Sequence, residues 1–125
     1  MAENVVMDKS FDFAARVVLL CRYLQEEKRE YVLTKQLMRS GTAIGALIRE
    51  ADQAESKPDF IHKMAIALKE ANETAYWIEL LRKCDLIDEN GFKSIHLDVV
   101  EMIKLLTSII NTAKRRPKDR TPSDR

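Results

Sequence analysis

An all-α protein, built as an up-and-down antiparallel four-helix bundle that assembles as a homo-oligomer, is what this sequence predicts. Three observations lead there. Helix breakers are scarce: among 125 residues there are three glycines and three prolines. Apolar residues recur at three- and four-residue spacing in four separate stretches. The connections between those stretches are short, which makes sequential helices antiparallel neighbours. With 46% hydrophobic and 33% charged residues, the chain is globular and not disordered. Its length suits one domain. We divide it into an N-terminal extension over 1–9, the bundle over 10–113 and a basic tail over 114–125, expected to be disordered.

The first helix is expected to begin after Asp8 or Ser10, since either can cap it. Phe13, Val17, Leu20 and Leu24 form one apolar stripe, and Phe11, Ala14, Val18 and Cys21 run beside it. A stripe that wide buries more than one side of a helix. Glu26 to Glu30 is a charge run without glycine or proline. The apolar phase restarts at Tyr31, which places a turn near Lys28 to Glu30; the alternative is one long kinked helix. The second helix then spans about Tyr31 to Glu55, roughly 37 Å at about 1.5 Å per residue. Leu33, Leu37, Ser40, Ile44, Leu47 and Ala51 keep one face of it.

Ser56-Lys57-Pro58-Asp59 is the clearest punctuation. Ser56 can cap a third helix, Pro58 fits its first turn, and Asp59 is placed to return a carboxylate to the cap. That helix runs to about Cys84, with Ile61, Met64, Leu68, Ala71, Ala75 and Ile78 along one face. Asp88 to Gly91 reads as a turn in which Gly91 can take positive φ, and Ser94 as the cap of the fourth helix. There Val99, Ile103, Leu106, Ile110 and Ala113 form a heptad seam. Met102, Leu105 and Ile109 make a second stripe. Because the outer helices each carry two stripes, the surplus is expected to be buried between copies of the chain in a closed homo-oligomer.

The net charge of +1 hides an uneven distribution. Residues 114–125 carry Lys114, Arg115, Arg116, Lys118, Arg120 and Arg125 against Asp119 and Asp124, a net +4, which leaves the body at −3. A basic end of this kind suits phosphate contacts. Lys114, Arg115, Arg116, Lys118 and Arg120 are therefore the candidate nucleic-acid-binding residues. Cys21 and Cys84 lie in apolar helical patterns with no short spacing, so we expect two buried thiols in a reducing compartment. No apolar run is long enough to span a membrane, and the N-terminus lacks signal-peptide features. A cytoplasmic protein is expected.

Catalytic and metal-binding patterns are missing. Asp59 and His62 stand at i and i+3, as in di-iron bundles, but such sites need a second copy, and Lys93 stands three before His96. There is no phosphate loop or dinucleotide fingerprint. We therefore expect no enzyme, no catalytic or metal residues, no cofactor and no small-molecule substrate. Polar residues do sit close to the apolar faces of the second and third helices. Arg39, Ser40, Arg49 and Glu50 can meet Glu73, Thr74 and Trp77 if those helices are neighbours, as a structural cluster that fixes register. A ligand site at Arg49, Glu50 and Glu73 is the alternative. Gly41 and Gly45 each cost the helix about 1 kcal/mol relative to alanine, so a close helix approach is expected there. Tyr76 and Trp77 are its candidate occupants.

Several segments carry a family resemblance: Ser10-Phe11 with Phe13-Ala14, Gln36-Leu37 with Arg39 to Ala51, Asp59 to Ile61 with Lys63-Met64 and Ile66-Ala67, and Glu70-Ala71, Glu73-Thr74 and Tyr76 to Leu81. Together they resemble the bacterial four-helix-bundle family encoded in intervening sequences of 23S ribosomal RNA genes. The likeness covers roughly Ser10 to Ala113. It departs where that family often has an asparagine, at Ala46 or Leu47 here. The resemblance implies an up-down bundle that forms a homo-oligomer, plausibly a pentameric barrel. A related branch, the accessory variability proteins of retroelements, forms basic pentamers that bind nucleic acid and a reverse transcriptase. Expected partners are therefore further copies of the chain, structured or ribosomal RNA, the ribosome, or a partner protein, and no membrane. The leading reading is a non-catalytic RNA-binding oligomer; the second is a protein–protein adaptor serving a partner enzyme.

Overall fold

The computed structural model describes residues 2–116. Four helices account for nearly all of them: α1 (Ala2–Glu27), α2 (Val32–Asp52), α3 (Lys57–Lys83) and α4 (Glu89–Arg115). The described residues contain no strand. α1 packs on α2, α2 on α3, α3 on α4, and α4 returns to α1, while the backbones of diagonal pairs stay apart. That cycle is the up-and-down bundle that short connections impose. The α1–α4 seam is the loosest of the four.

The N-terminal segment differs from expectation. α1 begins at Ala2, so residues 2–9 belong to the bundle and are not an extension before it. The reason is Val6, fully buried in line with Phe13 and Val17. Asp8 and Ser10 lie inside the helix; the buried Ser10 hydroxyl donates to the Met7 carbonyl at 3.0 Å.

The turn at Lys28 to Glu30 is present, made without glycine. Arg29 takes φ 53°, and the amides of Lys28 and Glu30 donate to the Leu24 carbonyl at 3.0 and 3.2 Å. α2 then starts without a side-chain cap from Tyr31. Glu30 does that work from one residue further back. Its carboxylate accepts from the amides of Val32, Leu33 and Thr34 at 3.1, 3.0 and 2.8 Å. Burial opposes the charge on Glu30, yet those three amides outweigh it and hold the carboxyl below its ordinary range.

Ser56 caps α3 as the sequence indicates, accepting from the Asp59 amide at 3.1 Å, and Asp59 returns its carboxylate to the Glu55 amide at 3.4 Å. The helix closes on Asp85, in the left-handed region at φ 60°. The Leu86 amide reaches the Leu81 carbonyl at 2.9 Å and the Asp85 amide reaches Arg82 at 3.1 Å, a Schellman arrangement. α4 starts earlier than Ser94. Asp88 is its cap, accepting from the Gly91 amide at 2.7 Å, so Gly91 is a first-turn residue with no positive φ.

The core joins Phe13, Val17 and Leu24 of α1, Leu37, Ile44 and Ile48 of α2, Met64, Ile78 and Leu81 of α3, and Val99, Met102 and Leu106 of α4. α3 adds buried alanines at 67, 71 and 75, which bring its neighbours close. Cys21 is buried, whereas Cys84, expected inside, is exposed at the end of α3. Burial, with the Glu30 charge nearby, pushes the Cys21 thiol up to about 11, so it stays protonated and inert. Among the described residues, no helix is long and apolar enough to cross a membrane.

Candidate nucleic-acid interface

Lys114 and Arg115 are not tail residues: they form the last turn of α4, where cations favour the carbonyl end of a helix. Arg116 is the C-cap, its amide bonded to the Thr112 carbonyl. All three are exposed. Lys118 and Arg120 lie outside the described residues.

The fold brings this end of α4 against the start of α3. The Lys57 ammonium donates to the Arg116 carbonyl at 3.0 Å. Between the two helices lies a groove of about 740 Å³. Its floor is Pro58, Ile61 and Ala65, and its rim is Lys57, His62, Lys114 and Arg116. The sequence marked His62 only as a metal-ligand candidate beside Asp59 and gave Lys57 no binding role, because nothing local marks their partners more than fifty residues away.

The predicted polar cluster is assembled only in part. Arg39 reaches Glu70 at 3.1 Å and also pairs with Glu73. The Trp77 indole donates to Glu73 at 2.9 Å. Trp77 and Arg39 together hold the Glu73 carboxyl below its usual range. Beneath them, Ser40 and Thr74 are fully buried. Thr74 Oγ1 lies 2.7 Å from the Glu70 carbonyl and 2.9 Å from Ser40 Oγ. The carbonyl can only accept, so it takes the Thr74 proton and leaves Ser40 to donate into the pair. Arg49 and Glu50 stand elsewhere. Arg49 lies over the Phe11 ring at 5.6 Å, and Glu50 pairs with Lys63 at 3.0 Å. Arg49 is some 15 Å along α2 from Arg39 at about 1.5 Å per residue, so Arg49, Glu50 and Glu73 do not converge on one ligand.

Gly41 and Gly45 face α1 and not the α3 aromatics. A Cβ on Gly41 would stand 2.9 Å from both Val17 methyls, and one on Gly45 would stand 3.4 Å from Ser10. The close approach is real, with a different occupant. Trp77 is instead held by Glu73 and edge-on to Tyr76, ring centroids 5.0 Å apart.

The histidines go separate ways. His96 stacks on Phe92 and meets Glu79 at 2.9 Å, while His62 lies at the groove. Among the described residues, no three His, Cys, Asp or Glu side chains gather with metal-holding geometry.

The expected apolar surplus is unevenly placed. The second stripe of α4 is largely used within the subunit, since Met102 and Ile109 are buried and Leu105 half-buried. On α1, Phe11 of the second stripe is exposed, Ala14 and Val18 are half-buried and Cys21 is buried; Val5, Leu19 and Tyr23, outside both stripes, are exposed, as is Leu97 on α4. Tyr31 and Val32 at the start of α2 are exposed as well.

The family described as 23S rRNA-intervening sequence protein matches residues 2–108. A solved crystal structure, of a protein of unknown function from the S23 ribosomal protein family of Bacteroides thetaiotaomicron, superposes with a TM-score of 0.88 at 55% identity. The match covers 89% of this chain and 99% of that one. No curated protein matches the chain significantly.

Proposed function

The chain belongs to the 23S rRNA-intervening sequence protein family, and from that premise we propose that it works as a non-catalytic, self-associating bundle that binds structured RNA through its basic end. One observation carries this reading. Lys114, Arg115 and Arg116 project from a helix end that the fold joins to Lys57 and His62, and among the described residues no carboxylate lines the groove between them. Lys118 and Arg120 follow at once in the sequence. Self-association multiplies the effect, because the apolar residues on the outer side of α1 are suited to a second copy. Five copies, the number the family resemblance implies, would gather a charge of roughly +20 from their final segments.

RNA binding across a salt series tests this, using the full chain and a chain ending at Ala113. Phosphate contacts give a steep loss of affinity with salt, and the truncation should flatten that slope. Light scattering on the same samples should return a multiple of the 14.4 kDa chain mass. Absence of RNA binding even at low salt rejects the reading. The exposed Val5, Leu19 and Tyr23 would then favour the second reading, a protein–protein adaptor docking a partner on α1.

A further inference from the structure

We propose that the groove between the start of α3 and the end of α4 takes a nucleoside-phosphate unit with an unpaired base. The phosphate lies among His62, Lys114 and Arg116, and the base and ribose lie on Pro58, Ile61 and Ala65. This rests on the RNA-binding reading and narrows it, from a basic end to one groove and from structured RNA to the unpaired nucleotides within it.

Charge comes first. Four of the seven described lining residues are Lys, Arg or His, and none of the seven is acidic. They are contributed by two helices, so the basic C-terminal sequence alone does not make the site. Lys114 and Arg116 form no ion pair with another described residue. Asp59, the nearest acid in sequence, is turned back to the Glu55 amide. Lys114 and Arg116 therefore keep their positive charge for an incoming anion.

The floor then selects among anions. It is mostly carbon, and inorganic phosphate has nothing to lay on it. A duplex also fits poorly, because it presents phosphates and sugars while its bases are stacked inside. An unpaired nucleotide has both halves, an anionic phosphate and a flat apolar face. His62 is exposed beside the floor, a flat ring that also carries an N–H donor. The volume of about 740 Å³ is on the scale of a small-ligand site.

The test uses the full chain, labelled for NMR and titrated with adenosine monophosphate and, separately, inorganic phosphate. The nucleotide should shift His62 and Ala65 and bind roughly tenfold more tightly than phosphate. A short oligoadenylate should outcompete a blunt RNA duplex of equal length at the same salt. Both gains should vanish in His62→Glu and in Arg116→Glu, exposed positions where the melting temperature should hold. Equal binding of duplex and single strand, with no nucleotide-induced shifts in the groove, overturns the proposal while leaving RNA binding at the basic end intact. Nucleotide bound in the groove without any oligonucleotide binding supports the groove as a free-nucleotide site and removes the RNA reading instead. Displacement of the nucleotide by a more tightly bound oligoglutamate would mark an acidic-peptide site and also overturn it.

Discussion

Toward α1, α2 presents Gly41 and Gly45; toward α3, one residue round the helix, it presents Arg39 and Ser40. At Gly41 and Gly45 the first seam has no side chain on the α2 side, so Val17 and the Ser10 backbone of α1 come down onto the α2 backbone. The second is polar at its centre, with the Ser40–Thr74 hydroxyl pair fully buried under the Arg39 ion pairs. Apolar contact at the two glycines sets how near the helices stand and by itself tolerates sliding along the axis. Directional bonds at the second tolerate almost none. A single helix thus uses small residues for distance and polar residues for register.

Filling the smooth seam should have the largest effect. Gly41→Val places branched methyls where even a Cβ lies 2.9 Å from Val17. Val17 is itself β-branched and fully buried, so it cannot swing away. We expect a loss of about 2–3 kcal/mol, the upper part of the range for overpacking a dense core, read as the shift in the urea midpoint. An unchanged midpoint would mean that α1 and α2 can part without cost.

Breaking the polar seam should matter less. Thr74→Val keeps the shape and strands the Ser40 hydroxyl in the core, at a cost of about 1–2 kcal/mol. Ser40→Ala combined with Thr74→Val should cost less than the sum of the single changes, because Ser40→Ala removes the hydroxyl that Thr74→Val leaves unpaired. Additive costs in that double-mutant cycle would show that the hydroxyls do not act as a pair.

These two seams were not equally legible in the sequence. Ser40 stands on the apolar face of α2 and Thr74 beside that of α3, on helices joined by a short connection, so periodicity and chain order allowed their meeting. The Gly41 and Gly45 strip was visible too, but its partner was not: composition shows that a surface is smooth without showing which neighbour lies on it. Periodicity likewise found four helices and missed where α1 begins, because Asp8 and Ser10 satisfy capping rules that Val6 overrides through tertiary burial. The turns at Arg29 and Asp85 carry no glycine, so only the restart of the apolar phase could mark the first. The groove rim was half legible. Lys114 and Arg116 stood out as part of a charge run, whereas Lys57 and His62 acquired their place only when α3 folded against α4.

The start of α2 fixes the phase of both seams, and it depends on one carboxylate. Glu30→Ala removes the acceptor for three amides and should cost about 1 kcal/mol at neutral pH, as for other caps. The folded-state pKa of Glu30 is lowered from 4.5. Its contribution is therefore fully present above the unfolded value and is lost as pH falls through the folded one. Melting temperatures of the parent and Glu30→Ala should differ at neutral pH and converge in acid below the ordinary glutamate range. A gap that persists there would mean that the charge on Glu30 is not what holds the helix start.

The smallest expected effect also has the opposite sign. Gly45 belongs to the same strip as Gly41, but its added Cβ would meet Ser10 at 3.4 Å, ordinary contact, where Gly41 would meet Val17 at 2.9 Å. Gly45→Ala should therefore keep about half of the gain of about 1 kcal/mol that alanine brings to a helix interior. A slight crowding of the Ser10 backbone leaves a net stabilisation of about 0.5 kcal/mol. A small rise in melting temperature is the readout. Should Gly45→Ala destabilise instead, α1 presses on α2 along the whole strip, and the closest approach is not confined to Val17 over Gly41.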